Sequence, residues 1–209
     1  MGVSRPGYHG MMRCGPAERL AATAAHMRQK PQILHTEVVA QSRLFRIEQV
    51  DLRFSNGVET RYERLTGAAS GGAVLMIPVL EDDTVLLIRE YAAGVDRYEL
   101  GLPKGRIEEG EDVLAAANRE MMEEVGYGAR DLRRLASLSV APGYLGHTTH
   151  LVLARDLYPQ RRDGDEPEEI EIVPWRLREL PQLLEREDLT EARTIAALFM
   201  VRELLNDDG

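Results

Sequence analysis

The sequence contains little cysteine and no long apolar segment. Cys14 is the single cysteine among 209 residues, which excludes an internal disulfide and a metal site built from several thiolates. No apolar run approaches the roughly 20 residues that a membrane-spanning helix needs. The N-terminus also lacks the apolar core of a secretion signal. These absences predict a cytoplasmic protein with no membrane partner.

Basic residues are too few to balance the acidic ones. The chain has 26 Lys and Arg against 35 Asp and Glu, for a net charge of −9. A nucleic-acid groove selects Lys and Arg, so this balance argues against a nucleic-acid partner. A small anionic substrate is still compatible, because a bound divalent metal reverses the local field. At 44% hydrophobic residues, the chain fits one domain with an appendage, or two small domains.

Acidic residues are concentrated in one segment near the middle of the chain. Glu111, Glu120, Glu123 and Glu124 lie within 14 residues. On a helix, which turns by about 100° per residue, the last three share one face. Like charges at these spacings repel and destabilise a helix. A hard cation such as Mg²⁺ or Mn²⁺ would remove the repulsion, although many acidic helix faces are merely solvated.

The spacing of the whole segment is more specific than the acidic face. From Gly105 it runs Gly, five residues, Glu, seven residues, Arg-Glu, an apolar residue, one residue, Glu-Glu, one residue, Gly. This pattern resembles the Nudix box in every fixed position, with Tyr127 where the family usually has an aliphatic residue. The resemblance implies the α/β class and the Nudix α/β/α sandwich. It also implies metal-dependent hydrolysis of a nucleoside diphosphate linked to another moiety.

The same resemblance implies roles for individual residues of the box. Glu120 and Glu124 would bind the metal directly, with Glu123 either a third ligand or a residue behind the ligands. Arg119 would hold the carboxylates in place, with Glu111 as its partner. Three further positions have implied roles. Gly105 would open the loop, Lys104 would complete the metal shell with its carbonyl and would also contact the substrate, and Arg89 would contact a phosphate from a strand.

Two features downstream of the box resemble ADP-ribose-directed members of the family. The acidic loop that contains Glu166 and Glu168 would supply the catalytic base and a further metal ligand, with the two roles exchangeable. Pro142, which lies 15 residues after Tyr127, resembles the marker proline of these enzymes. The alternatives are a solvated loop and an ordinary turn at a strand end.

Beyond the box, segments such as SRLFRIEQVDLRFSNG, YELGLPKG and EARTIAALF resemble the ADP compounds hydrolases, the Nudix E type. These are related to the ADP-ribose pyrophosphatases. The resemblance implies cleavage of ADP-ribose, NADH and diadenosine polyphosphates to AMP and a second phosphorylated product. It also implies a homodimer that pairs through N-terminal strands.

The chain divides into three predicted regions. Residues 1–30 lack periodicity and are predicted to be a disordered extension, with residues 1–26 a tail or the result of a start codon placed too early. Residues 31–66 are predicted to form a β-hairpin around Asn56-Gly57 that is too small to be stable alone. It would pack on the rest of the chain or on a partner subunit, and the family resemblance implies the partner subunit. Residues 67–209 form the predicted catalytic domain. Its expected strands are 73–80, 84–91, 97–101, 132–141, 147–157 and 171–175, and its expected helices 177–187 and 191–206.

Several competing interpretations are weaker. Gly105 to Gly110 has P-loop spacing, but Glu111 follows where Lys is required. His147 and His150 would point to opposite faces of a strand, which argues against a shared metal. A non-catalytic Nudix-like sensor usually lacks a metal carboxylate, and none is missing here. A Nudix enzyme for another nucleotide substrate, such as a housekeeping nucleoside triphosphatase, is the remaining alternative.

Overall fold

The computed structural model describes residues 29–67 and 71–207. The predicted extension, apart from its last two residues, lies outside this part of the chain. The described residues form ten strands, three α-helices and one 3-10 turn (Leu177–Glu179). Their bounds are β1 Gln32–Gln41, β2 Phe45–Arg53, β3 Glu59–Gly67, β4 Ala73–Pro78, β5 Thr84–Ala92, β6 Arg97–Gly101, β7 Lys104–Arg106, α1 Val113–Glu124, β8 Tyr127–Ser139, β9 Thr148–Pro159, β10 Glu171–Arg176, α2 Leu180–Leu184 and α3 Ala192–Asp207.

The strands form three sheets. Their orders are β1-β2-β3, β7-β4-β9-β8 and β10-β5-β6. In the four-stranded sheet β4 and β9 run parallel, and the other neighbours are antiparallel. The two apolar segments that the sequence predicted as consecutive strands, β4 and β5, therefore belong to different sheets.

Helices cover both faces of the central strands. Alternate side chains of β4 enter different cores, because successive residues of a strand point to opposite faces. Leu75 and Ile77 pack with α2 and α3, whereas Val74 and Met76 pack with α1. Burial on both faces explains why β4 is a continuous apolar run. This layering confirms the expected α/β/α sandwich.

The box helix α1 has clear start and stop signals. The Asp112 carboxylate caps its N-terminus by accepting from the backbone N–H groups of Leu114 and Ala115, at 2.9 and 3.3 Å. The helix ends at Glu124 and is followed by Gly126, whose φ of 76° suits glycine. Its buried residues include Ala117 and Met121, which anchor one face and leave the glutamates on the next.

The N-terminal strands differ in part from the prediction. The turn at Asn56-Gly57 is confirmed, with Gly57 at a φ of 83°. However, three strands are present instead of a two-stranded hairpin. The first predicted strand is interrupted at residues 42–44, where the Ser42 hydroxyl accepts from the N–H of Phe45 at 3.1 Å. A polar side chain that satisfies the backbone locally favours such a break.

The chain divides into two compact units. Among the described residues, one comprises 29–36 and Val50–Tyr62, and the other comprises Glu37–Gln49, 63–67 and 71–207. The larger unit contains the sandwich and every site described below. None of the helices in the described residues is long and apolar enough to cross a membrane.

The remaining boundaries lie close to the predicted ones. Strand β6 coincides with the prediction, and β8 begins five residues earlier, directly after Gly126. The helix predicted at residues 177–187 is instead the 3-10 turn followed by the short α2. Pro181 lies in the first turn of α2, a position that lacks a hydrogen-bonding requirement for its nitrogen.

Candidate active site

Two glutamates of α1 are buried against strand β7. Glu120 is 9% exposed and Glu124 is 5% exposed. The Glu120 carboxylate accepts from the backbone N–H of Arg106 at 3.1 Å, and the Glu124 carboxylate accepts from that of Lys104 at 3.0 Å. The short strand therefore lies directly over the acidic face of the helix.

Gly105 makes this close approach possible. A β-carbon at this position would lie 1.9 Å from the carboxylate carbon of Glu120 and 2.2 Å from one of its oxygens. No side chain fits there unless the carboxylate moves. The sequence identified Gly105 as the start of the loop, and the geometry gives the physical reason for a glycine.

Arg119 is the centre of an ion-pair network. Its guanidinium donates to both oxygens of Glu111 at 2.9 Å, to Glu120 at 2.8 Å and to Glu123 at 3.3 Å. It also donates to the backbone carbonyl of Arg106 at 2.9 Å. The predicted pairing of Arg119 with Glu111 is present.

Burial and pairing shift the pKa values of these groups in opposite directions. Desolvation raises the pKa of Glu124 to about 8 and also raises the pKa of Glu120, where Arg119 partly opposes it. Hydrogen bonds from Arg119 lower the pKa of Glu111, and those to Glu111 raise the pKa of Arg119. Nearby positive charge, from Arg119 for Glu120 and from Lys104 for Glu124, thus offsets the effect of burial only in part.

The donor set suits a hard divalent cation by its chemistry. Glu120, Glu123 and Glu124 offer carboxylate oxygens on one helix face, next to the backbone of Lys104. These are oxygen donors of the kind that Mg²⁺ and Mn²⁺ prefer. Within residues 29–67 and 71–207, no three Asp, Glu, His or Cys side chains already converge as a ready-made metal cage. The guanidinium of Arg119 instead binds two of these carboxylates, those of Glu120 and Glu123.

The second acidic segment lies close to the first. Glu166 and Glu168 line a cavity of about 260 Å³ together with Glu123. Glu168 also accepts a hydrogen bond from the Tyr98 hydroxyl at 2.8 Å. The structure therefore brings both predicted loop glutamates near the box helix, and it adds Tyr98, which the sequence did not single out.

Three predicted substrate contacts have different surroundings. The Lys104 ammonium donates to Glu90 at 2.9 Å at the edge of the site. Arg89 is ion-paired with Asp188 and, at 2.9 Å, with Glu171. Pro142 is exposed in the turn before β9. Arg89 and Pro142 have no described hydrogen bond or ion pair to the acidic cluster.

Sequence reasoning missed a basic cavity beside Gly105. Its volume is about 660 Å³, and its lining includes Arg43, Arg106, His147 and Arg193. These residues come from four separate stretches of the chain, so no local sequence motif indicates that they lie together. Glu90 was also missed as a neighbour, although its charge adds to the raised pKa of Glu124.

Comparisons with known proteins agree with this geometry. The NudE-type Nudix hydrolase N-terminal domain matches residues 31–64, and the NUDIX domain matches residues 70–198. The ADP compounds hydrolase NudE of Escherichia coli K12 is 52% identical over 181 residues, which is 87% of this chain and 96% of that protein.

More distant relatives and a solved structure extend the comparison. The ADP-ribose pyrophosphatase of Bacillus subtilis is 26% identical over 79% of this chain and 91% of its own length. A GDP-mannose pyrophosphatase of Citrobacter koseri is 25% identical over 82% and 95%. A crystal structure of an ADP compounds hydrolase superposes with a TM-score of 0.81 at 50% identity, and the match covers 88% of this chain and 99% of that one.

Proposed function

Because this chain belongs to the Nudix hydrolase family and has a NudE-type N-terminal domain, we propose that it hydrolyses the pyrophosphate bond of ADP-linked metabolites and releases AMP. The proposed substrates are ADP-ribose, NADH and diadenosine polyphosphates. The observation that carries the proposal is the burial of Glu120 and Glu124 against the Gly105 loop, with a full set of box carboxylates. The names of the two ADP-directed relatives support the ADP half of the substrate.

We propose Mg²⁺ as the cofactor, with Mn²⁺ as an alternative. The residues that would hold it are Glu120 and Glu124, with Glu123 and Glu168 as further ligands. Such an ion supplies the positive charge that a pyrophosphate needs before its anhydride bond can be cleaved. The burial of Glu124 against β7 supports this assignment, since a cation would offset the desolvation that raises the pKa of its carboxyl.

The chain itself positions these groups and moves a proton. Backbone N–H groups of β7 fix the carboxylates of Glu120 and Glu124, and Arg119 with Glu111 orients the same cluster. Glu166 would take the proton of the attacking water on a carboxylate oxygen, with Glu168 able to exchange roles with it. The acidic loop would bring this base close to the bound substrate.

We also propose a homodimer that forms through residues 31–66. The support is the amount of exposed apolar surface on short N-terminal strands. Val38, Val39 and Val58 are 46–54% exposed, and Tyr62 is 47% exposed. Exposed apolar groups of this density often mark a protein interface.

Hydrolysis of another nucleoside diphosphate derivative is the second candidate. The GDP-mannose pyrophosphatase relative favours it, because that match covers 82% of this chain and 95% of that protein. Both candidate substrates require the same acidic cluster. They differ in the nucleobase and in the moiety linked to the diphosphate.

A substrate panel tests the proposal. AMP release would be measured from ADP-ribose, NADH and diadenosine triphosphate, and GMP release from GDP-mannose, each with Mg²⁺ and with EDTA. Metal-dependent AMP release with a clear preference over GDP-mannose is expected. Preference for GDP-mannose would favour the second candidate, and no release from any substrate by the folded protein would reject both.

A further inference from the structure

The cavity beside Gly105 has more positive charge than its surroundings. Four of its side chains are Arg43, Lys104, Arg106 and Arg193, and His147 is a fifth basic group. This concentration occurs in a chain whose net charge is −9. A local excess of the minority charge around a concave surface raises the local concentration of oppositely charged ligands.

Two of these cations have no carboxylate partner. The side chains of Arg43 and Arg106 are exposed, and neither is ion-paired to any residue in the part of the chain that the structure describes. The other two are paired, because Lys104 donates to Glu90 and Arg193 donates to Glu191. Two uncompensated guanidinium groups therefore line the same cavity.

Arg193 is held in a defined orientation. Its Nε donates to Glu191 at 2.5 Å and its Nη1 donates to the hydroxyl of Thr149 at 2.9 Å. The side chain is only 20% exposed. Its remaining nitrogen is thereby a preorganised donor. His147 is nearby, and burial together with the charge of Arg193 lowers the pKa of its imidazole, which is consistent with a positive local potential.

The cavity adjoins the acidic cluster through one strand. Arg106 follows Gly105, and its backbone N–H donates to Glu120 at 3.1 Å. The side chain of Arg106 thus lines the basic cavity while its backbone contacts a predicted metal ligand. A ligand in the cavity would lie next to the candidate active site.

From these contacts we infer that Arg43, Arg106 and Arg193 form a binding site for the phosphoryl groups of a nucleoside diphosphate. Guanidinium groups match phosphate oxygens in geometry and charge. A volume of about 660 Å³ is large enough for a ligand of this class. Leu44, Phe45 and Leu145 provide an apolar part of the lining for the rest of the molecule. The identity of the ligand rests on the proposed function, whereas the anion site rests on the arginines.

Calorimetric titration of the full chain with ADP in EDTA tests this inference without any metal or turnover. Arg43→Gln and Arg106→Gln are each expected to raise the Kd for ADP roughly tenfold, since each removes a charge-assisted contact. Arg193→Gln should act in the same direction. Arg46→Gln is the matched control, because Arg46 is an exposed arginine outside the cavity that faces Glu48 at 3.8 Å. It should bind ADP as the wild type does.

The result that would overturn the inference is unchanged ADP affinity in both Arg43→Gln and Arg106→Gln, or no ADP binding by the wild type in EDTA. Adenosine, which lacks phosphate, should show no difference between these variants and the wild type, and a tenfold difference would also contradict a phosphate site. AMP release with Mg²⁺ separates this inference from the proposed function. If the arginine variants lose ADP affinity but the wild type hydrolyses no substrate, the anion site is supported and the proposed function is rejected. If the wild type hydrolyses ADP-ribose but the arginine variants bind ADP as it does, the proposed function is supported and the anion site is rejected.

Discussion

Gly105 determines where the Glu120 carboxylate can lie. The absent side chain leaves room for a carboxylate whose carbon would be 1.9 Å from any β-carbon. A real β-carbon would force Glu120 away from β7 and break its hydrogen bond with the N–H of Arg106. The geometry of the acidic cluster therefore depends on a residue with no functional group.

Gly105→Ala is expected to lower AMP release by about 100-fold or more, because displacing Glu120, a proposed metal ligand, would weaken the whole site. The half-saturating Mg²⁺ concentration should rise as well. Gly143→Ala is the control, since a β-carbon there meets no atom within 4 Å. Metal-dependent assays on both variants provide the test, and equal activities would show that Glu120 tolerates the displacement.

Tyr98 connects strand β6 to the acidic loop. Its hydroxyl donates to Glu168. Its ring packs edge-on against that of Tyr91, with 5.6 Å between the ring centroids. The Tyr91 hydroxyl instead donates to Asp96, within the turn between β5 and β6. The two phenols thus make similar hydrogen bonds, but only that of Tyr98 reaches the loop.

Tyr98→Phe should free the loop, while Tyr91→Phe should not. The expected changes for Tyr98→Phe are a roughly fivefold lower kcat with little change in KM and faster trypsin cleavage after Arg161 or Arg162, since one hydrogen bond to a charged group is lost. Kinetics and limited proteolysis would be run on both variants. Identical behaviour of the two variants would show that Tyr98 does not position the loop.

At the level of elements, an ion-pair network ties β5 to β10 and to the segment between α2 and α3. Asp188 accepts from Arg186 at 2.8 and 2.9 Å and also pairs with Arg89. The hydrogen bond from Arg186, and after it that from Arg89, hold the pKa of Asp188 well below its usual range. Arg89 also pairs with Glu171 on β10. Arg89, which is a predicted phosphate contact, therefore also links β5 to β10 and to the segment between α2 and α3.

Asp188→Asn should destabilise the protein by about 1 kcal/mol at pH 7, since the network is only partly exposed. The folded pKa is lower than the unfolded one, so the stabilisation is complete above the unfolded value of about 3.9 and is lost as the pH falls below it. The difference between variant and wild type should therefore shrink below pH 4. Urea unfolding at pH 7, 5 and 3 measures it, with Asp131→Asn, an exposed carboxylate on β8, as the control. A difference that grows in acid would contradict the assignment.

Local elements followed well from the sequence, and long-range arrangements did not. The acidic face of α1 is a local feature that the spacing of its residues predicts, and the bounds of β6 were predicted without error. The pairing of β4 with β9 and the separation of β4 from β5 depend on contacts between distant residues. The apolar pattern of β4 predicts burial but does not specify a partner strand.

The candidate site divides in the same way. The predicted pairing of Arg119 with Glu111 is present because one helix and its preceding loop carry both residues, whereas the metal-binding roles of Glu120 and Glu124 stay predictions. The Tyr98 contact with Glu168 spans 70 residues, and the basic cavity draws on four distant stretches. Neither leaves a periodic or spaced signal in the sequence.

For the whole molecule, the N-terminal strands favour an assembly. Every residue of β1 is exposed in the single chain, and a small sheet needs an apolar face packed on another surface to be stable. The NudE-type N-terminal domain matches this region, residues 31–64. These observations support the proposed homodimer.

Light scattering coupled to size exclusion should give a mass of about 47 kDa, twice the 23.5 kDa of one chain. Val38→Glu combined with Val39→Glu places charge on both faces of β1 and should shift the mass toward the monomer. Gln41→Glu, which adds charge at a polar position of the same strand, should not. A monomeric wild type would contradict the proposed assembly.

The most direct test of the account is AMP release from ADP-ribose by Glu120→Gln at saturating Mg²⁺. The substitution keeps the shape of the side chain and removes a charge from the site, so a loss of several orders of magnitude in kcat is expected, with a thermal unfolding midpoint close to that of the wild type. Glu109→Gln, at an exposed glutamate in the loop before α1, should retain full activity. Near-normal turnover by Glu120→Gln would contradict the claim that this buried carboxylate holds the catalytic cation.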